Sequence, residues 1–146
     1  MRKIFTIRNQ PVEVDLVLLF IRLVCGYAFV LHGWGKIQIP LNWMGKESSI
    51  PGIFQALAAI SEFGGGIALI SGFLTRLGAF GIGCTMVVAV FMHRFVLGDP
   101  FVNLLGGRSY ELASAYLLIA LLLVISGPGR FSLDRSIFGV EKIGRL

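Results

Sequence analysis

Four long apolar stretches constrain the fold of this chain more than any other feature. They lie at residues 16–35, 53–74, 77–97 and 109–127. Each is about long enough to cross a bilayer, because a spanning α-helix needs roughly 20 predominantly apolar residues. Only 14% of the 146 residues are charged, which leaves too little polar surface for a soluble domain of this size. The sequence therefore predicts an all-α integral membrane protein, a bundle of four transmembrane helices.

Turn signals between the apolar stretches set the predicted helix boundaries. Helices are expected at about 15–37, 53–74, 77–97 and 109–127. Gly127-Pro128-Gly129 is a strong helix stop. Residues 128–146 form a tail, in which a short interfacial helix is expected at 133–143. No second domain is indicated, so a single membrane domain is expected to cover residues 1–146.

Basic residues are distributed unevenly over the segments that flank these helices. Eight of them lie in the N-terminus, the second connection and the C-terminus, which four spans place on one side: Arg2, Lys3, Arg8, Arg76, Arg130, Arg135, Lys142 and Arg145. The opposite loops hold only Lys46 and Arg108, with Lys36 and Arg94 near helix ends. The positive-inside rule then predicts that both termini are cytoplasmic. The net charge of +5 is therefore a topology signal, and no nucleic-acid partner is expected.

Ionisable residues inside the apolar stretches are the main pointers to function. They are Arg22, His32, Glu62, His93, Arg94 and Glu111. A charge near the middle of a spanning helix costs roughly 2.5–3.5 kcal/mol on insertion scales, so it is expected to have a partner or a task. One stripe of the first helix, at about 100° per residue, holds Arg22, Gly26, Phe29, Gly33 and Lys36. This stripe is expected to face the bundle interior.

Arg22 and Glu62 are predicted to form an ion pair near the membrane centre. With a rise of about 1.5 Å per residue, Arg22 lies roughly 9 Å from the cytoplasmic end of the first helix. Glu62 lies roughly 13 Å from the outer end of the second helix, so in a layer of about 30 Å both side chains can reach each other. The pair either only fixes helix one against helix two, or lines a cavity that binds a polar head group or handles protons.

A second polar group is expected nearer the outer face. His32 and His93 lie at matched depth on different helices, and at similar or slightly higher levels lie Lys36, Arg94, Tyr110 and Glu111. The histidines could bind a haem or a metal ion, with Glu111 as a third ligand. They could equally hydrogen-bond the carbonyls of a quinone and exchange protons, since histidine titrates near neutral pH. Each could also be only a hydrogen-bonded residue at a helix end, and the spacing alone selects none of these.

Several short segments occur together in a fairly specific order and spacing. They are R-L-V-C-G-Y-A-F-V-L-H-G-W-G-K at 22–36, P-G-I-F and A-I-S-E-F-G-G-G-I-A-L-I-S-G-F-L-T-R within 51–76, His93, Y-E-L at 110–112 and S-G-P-G-R-F-S-L-D at 126–134. Over roughly residues 15–135 the chain resembles the DoxX family of small four-helix membrane proteins. Similar proteins are described as subunits of membrane oxidoreductases, namely the quinone-reducing thiosulfate dehydrogenase of archaea and a mycobacterial complex acting with superoxide dismutase and a thiol-handling partner. The resemblance implies a multi-pass protein of a bacterial or archaeal inner membrane.

The main hypothesis is a membrane subunit of an oxidoreductase system, quinone-linked, with a polar pocket opening toward the outer leaflet. The pocket is expected to involve Arg22, Glu62, His32, Lys36, His93 and Glu111, with Arg94 and Tyr110 beside them. Electrons would need a soluble or membrane redox partner protein, because the chain has no nucleotide-binding glycine fingerprint and no clustered cysteines. The lipid bilayer is the other expected partner, and a homo-oligomer is compatible with the sequence.

Three alternatives stay open at this point. One is a non-catalytic scaffold that recruits soluble redox enzymes to the membrane. Another is a small proton-coupled transporter, which buried charges would suit, although four unbroken spans are few for alternating access. The third is a haem protein ligated by His32 and His93, a less favoured cofactor than quinone. Apart from these two histidines, no metal site is expected.

Overall fold

The computed structural model describes residue 7 and residues 9–139, and this part of the chain contains five α-helices and one π-helical turn. The elements are α1 (Val12–Gln38), α2 (Gly52–Ser71), α3 (Thr75–Phe91) with the π-helical turn Met92–Val96, α4 (Glu111–Ser126) and α5 (Leu133–Phe138). The prediction of an all-helical membrane protein is confirmed at this level. Of the predicted interfacial helix, 133–138 is helical and ends at Gly139, and residues 140–143 lie outside the described residues.

Three helices are long and apolar enough to cross a membrane, namely α1, α2 and the continuous segment Thr75–Val96. The fourth, α4, is apolar but has 16 residues, about 24 Å of helix against a hydrocarbon layer of about 30 Å. It begins and ends slightly inside the predicted 109–127. The backbone N–H of Glu111 bonds to Phe101 O at the start of α4, and Gly127, with φ +78°, ends the helix.

Close glycine contacts hold neighbouring helices together in antiparallel order. A Cβ added to Gly33 would lie 2.5 Å from the backbone nitrogen of Phe63, and one added to Gly26 would lie 2.8 Å from Gly66 O. The α2–α3 pair has the same kind of contact, between Gly65 and Gly78. In lipid there is no hydrophobic drive between helices, so this close backbone approach supplies the packing that joins them.

The bundle has two structurally different ends. The turn end holds the start of α1, the tight turn 72–74, the end of α4 and α5; the loop end holds the longer loops 39–51 and 97–110. Between them lies a core that includes Leu18, Cys25, Phe29, Leu69, Ile82, Met86 and Leu123. Contacts between α1 and α4 are sparse, and the Phe29 and Tyr116 rings meet there with centroids 4.9 Å apart.

Large apolar side chains cover the outside of the helices. Phe20, Val24 and Leu118, for example, are each about two-thirds exposed. A soluble protein rarely leaves such continuous apolar surface uncovered, whereas in a bilayer these side chains contact acyl chains. The polar groups of the spans must therefore be explained by what they contact inside.

Candidate functional site

The loop end encloses a small cavity with both polar and aromatic walls. Its volume is about 220 Å³, and its lining comes from all four long helices and the loop before α4. The polar side of the lining consists of His32, Lys36, Glu62, His93, Ser109 and Tyr116. The apolar side consists of Phe29, Met86, Ala89, Leu112 and Ala113. We call this cavity the loop-end pocket.

A salt bridge between α1 and α2 forms one wall of the loop-end pocket. Lys36 Nζ donates to both carboxylate oxygens of Glu62 at 2.6 Å. The Glu62 side chain is 3% exposed and that of Lys36 is 25% exposed, so water screens the pair only weakly. The contact follows from helix register, because Gly33 packs directly on Phe63 and brings the next turn of α1 beside Glu62.

The loop 39–51 covers this salt bridge. Lys36 Nζ lies 4.5 Å from the ring centroid of Trp43, a distance at which a cation is attracted to an aromatic face. Trp43 is held by its indole N–H, which donates to Gln55 O at 2.8 Å. The buried Gln55 side chain also accepts from Met44 N and donates to Ile50 O. The sequence pattern does not point to Trp43 or Gln55 as site residues. The one available signal was the position of Gln55, a polar residue at the start of an apolar span.

The predicted ion pair between Arg22 and Glu62 is wrong. Glu62 pairs with Lys36, while the buried Arg22 donates to backbone carbonyls at the turn end, from Nε to Leu69 O at 2.9 Å and from Nη1 to Pro128 O at 2.6 Å. The reason is helix register. α1 has 27 residues, about 40 Å, so its first turns extend past α2 and Arg22 falls beside Gly72. Both charges are buried, but at opposite ends, and Arg22 does not contribute to the pocket.

The segment after α4 closes the turn end through further buried polar contacts. Asp15 accepts from Arg130, at 2.6 Å to Nε and 3.1 Å to the backbone nitrogen. Asp134 accepts the backbone N–H groups of Leu74 and Thr75, at 2.7 and 3.0 Å, and so caps the start of α3. Asp15 does not stand out in the sequence pattern, and Asp134 does so only as the last residue of the segment at 126–134. These buried polar contacts define a turn-end cluster, which consists of Arg22, Asp15, Arg130 and Asp134. Each of these contacts joins a member of the cluster to another protein group, so its role is to hold neighbouring segments together.

The remaining predicted site residues divide between the pocket and the surface. His32 and His93 both line the loop-end pocket, together with Lys36 and Glu62. Outside the lining, the guanidinium of the exposed Arg94 donates to Tyr110 Oη at 2.7 Å. The exposed Glu111 is the first residue of α4 and is also absent from the lining. The structure thus brings together the two histidines and Lys36, and leaves Arg94, Tyr110 and Glu111 outside.

A carboxylate that the sequence pattern does not indicate contacts one of these histidines. Asp99 Oδ2 lies 2.7 Å from His93 Nδ1, and the Asp99 side chain is 11% exposed. Arg108, which is largely exposed, lies 3.7 Å from the other oxygen. Asp99 lies in a loop beyond the third apolar stretch, where an aspartate is common and carries no signal of its own.

Haem or metal binding is poorly supported by this arrangement. Among the residues that the structure describes, no group of three or more His, Cys, Asp or Glu could hold a metal ion. The pocket volume of about 220 Å³ is also below the roughly 300–1,000 Å³ of sites for drug-sized ligands, and a haem is at least of that size. A single small ring fits this space better.

Fold and site together define a multi-pass membrane protein with a small polar pocket inside its helical bundle. The sequence profile of the DoxX family matches residues 17–94, and the chain belongs to this family. It is similar to the inner membrane protein YqjF of Escherichia coli, with 36% identity over 128 residues that cover 83% of this chain and 92% of that protein. It is similarly related to an uncharacterized protein of Haemophilus influenzae, with 35% identity over 123 residues that cover 83% and 90% of the two chains. No solved structure matches it.

Proposed function

We propose that this protein is the membrane subunit of an oxidoreductase system and that its loop-end pocket binds the ring of a quinone-type hydrogen carrier. The observation that carries the proposal is the convergence of His32 and His93 on one cavity whose other walls are aromatic and aliphatic. A quinone ring has two polar oxygens on a flat apolar body. Apolar walls that carry a few placed polar groups are the usual form of a small-molecule site.

The position of the pocket suits a ligand that arrives from the membrane. Its lining includes His32 of α1 and Leu112 of α4, both exposed, on two helices with only sparse contacts between them. The isoprenoid tail of a quinone would leave the pocket between these helices and enter the lipid. The volume of about 220 Å³ then has to hold only the ring.

The proposed orientation places both termini in the cytoplasm and the pocket toward the outer leaflet. It is supported by the basic residues around the turn end, among them Arg76, Arg130 and Arg135. The inner membrane is the proposed location, in line with the name of the Escherichia coli relative. Electrons would be exchanged with a partner protein carrying flavin, haem or thiols, because Cys25 and Cys84 are free thiols, one buried and one exposed, that are not joined in a disulfide.

The turn-end cluster argues against the alternative of a proton-coupled transporter. Arg22 is 1% exposed and its guanidinium binds carbonyls of α2 and of the segment after α4. Asp15 and Asp134 are also nearly fully buried and bonded. A path from the pocket to the cytoplasm would have to break these contacts, so the pocket is proposed to be blind at its inner end.

Ligand titration tests the proposal directly. The purified protein in nanodiscs is titrated with a short-chain ubiquinone, and binding is followed by quenching of tryptophan fluorescence. Saturable binding is expected, and Ala113→Phe, which fills the pocket, should weaken it at least tenfold. Ala115→Phe on the exposed face of the same helix is the matched control. Non-saturable quenching in the wild-type protein would contradict the proposal and favour a scaffold that has no ligand.

A further inference from the structure

The contact between His93 and Asp99 is built into the chain by local backbone geometry. The π-helical turn Met92–Val96 closes with a bond from Leu97 N–H to Met92 O at 2.9 Å. Gly98 then adopts φ +69°, and Asp99 N–H returns to His93 O at 2.8 Å. This left-handed glycine closure is a common way to end a helix. Here it brings a carboxylate back onto the imidazole six residues earlier, so both groups are held by main-chain bonds.

Hydrogen-bond chemistry determines which imidazole nitrogen carries the proton. An ionised carboxylate can only accept, so the 2.7 Å contact with Asp99 requires a proton on His93 Nδ1. In a neutral ring the other nitrogen, Nε2, is then an acceptor, because the bond at one nitrogen fixes the tautomer. His93 lines the pocket. With the ring neutral, Nε2 is the nitrogen left for a bound ligand, and it would serve that ligand as an acceptor.

The other charged groups of the pocket leave this assignment unchanged. Lys36 directs its ammonium to both oxygens of Glu62 and lies over the Trp43 ring, so that cation and that carboxylate are satisfied by each other. Arg108 lies on the far side of Asp99, with Nε 3.7 Å from the other carboxylate oxygen. His32, on α1, is the other titratable ring of the pocket.

We propose that Asp99 is a positioning residue that holds His93 as a hydrogen-bond acceptor, and that the pocket consequently selects the reduced, dihydroxy form of its ligand. This inference rests on the proposed quinone site. A quinol hydroxyl can donate a hydrogen bond to His93 Nε2. A quinone carbonyl cannot, because its oxygen is also an acceptor, so the lone pairs of the carbonyl oxygen and of Nε2 would face each other without a proton between them. The His93 side chain is 30% exposed in the free protein, and a bound ring would cover it. Since an acceptor that is covered without a donor is costly, the quinol is expected to bind about five- to tenfold more tightly than the quinone.

Nitrogen-15 NMR of the ligand-free protein tests the tautomer without any ligand. The chain has only two histidines, so a His32→Gln variant assigns both rings. In the wild-type protein, His93 is expected to carry its proton on Nδ1 and to show an unprotonated Nε2. Asp99→Asn removes the obligate acceptor and is expected to shift the ring toward the other tautomer. A wild-type His93 protonated on Nε2, either alone or together with Nδ1, would overturn the inference, whether or not any variant folds.

Calorimetric titration under anaerobic conditions then tests the selection. Tetramethylhydroquinone and tetramethylbenzoquinone are compared in wild type, in Asp99→Asn and in Arg108→Gln, which removes a neighbouring charge and keeps the carboxylate. A five- to tenfold preference for the hydroquinone is expected in the wild type and in Arg108→Gln, and its loss is expected in Asp99→Asn. Equal affinity of the wild type for both forms would overturn this inference alone. Failure of both forms to bind would overturn the proposed function and this inference with it.

Discussion

The Lys36 ammonium lies 2.6 Å from both carboxylate oxygens of Glu62 and joins the loop ends of α1 and α2. The two residues differ in solvent exposure: the Glu62 side chain is almost fully buried, whereas a quarter of the Lys36 side chain is exposed. This asymmetry determines what happens when either partner is removed.

Removal of Lys36 is predicted to destabilise the protein more than removal of Glu62. Lys36→Met leaves the buried carboxylate of Glu62 without a partner. It should lower the free energy of unfolding by about 3 kcal/mol, the low end of the range for broken buried ion pairs. Glu62→Met leaves a lysine that can turn its ammonium toward water, at a smaller cost. The double variant should recover most of the loss, and unfolding by SDS in mixed micelles, followed by circular dichroism, measures all three. An equal or larger loss for Glu62→Met would contradict this explanation.

Gly33 is predicted to be essential for the salt bridge between Lys36 and Glu62, whereas its neighbour Gly35 is not. A Cβ at Gly33 would lie 2.5 Å from Phe63 N, and one at Gly35 meets nothing within 4 Å. Gly33→Ala should therefore push α1 from α2 and destabilise by about 1–3 kcal/mol, as overpacking does. Gly35→Ala should be neutral or stabilising by about 0.5–1 kcal/mol, since glycine weakens a helix interior. The same unfolding assay decides, and similar effects of the two substitutions would contradict the close helix approach.

Much of the architecture could be predicted from hydropathy, because span length and turn residues set each helix to within a few positions. The stripe on α1 was also informative, since Arg22, Phe29 and Gly33 are all buried. Helix register could not be predicted. Heights measured from the ends of apolar stretches place Arg22 opposite Glu62, but α1 extends past the bilayer-length segment, and glycine contacts set the register.

The candidate site was predictable only in part for a related reason. Two histidines at matched depth on α1 and α3 were enough to indicate a shared cavity. Two further contacts of the site come from loops, namely Trp43 on Lys36 and Asp99 on His93, and loop residues have no periodicity that a sequence could show. Asp99 reaches His93 only because a π-helical turn and Gly98 redirect the chain. Arg94, adjacent to His93, is exposed and donates to Tyr110.

Arg22 is predicted to be irreplaceable by lysine. Its guanidinium serves Leu69, Pro128 and Phe131 carbonyls at once, a fork that a single ammonium cannot reproduce. Arg22→Lys should destabilise by about 1–3 kcal/mol, the cost of leaving buried acceptors unsatisfied. Arg94→Lys, at an exposed arginine with one bond to Tyr110, is the matched control and should change stability by less than about 0.5 kcal/mol. Thermal unfolding in detergent compares them, and equal tolerance at both positions would refute the role of Arg22.

The orientation of the bundle gives the last prediction, because it decides which leaflet the pocket faces. If the basic turn end is cytoplasmic, green fluorescent protein fused after residue 146 should fluoresce, and alkaline phosphatase fused there should be inactive. Phosphatase inserted at Gly106, an exposed loop-end glycine at φ +84° with open space around it, should be active. Since α4 is only 16 residues long, the fusion after residue 146 also tests whether this helix spans at all. An active phosphatase at both positions would mean that α4 does not cross the membrane. A ligand from the membrane would then have to reach the pocket by a different route.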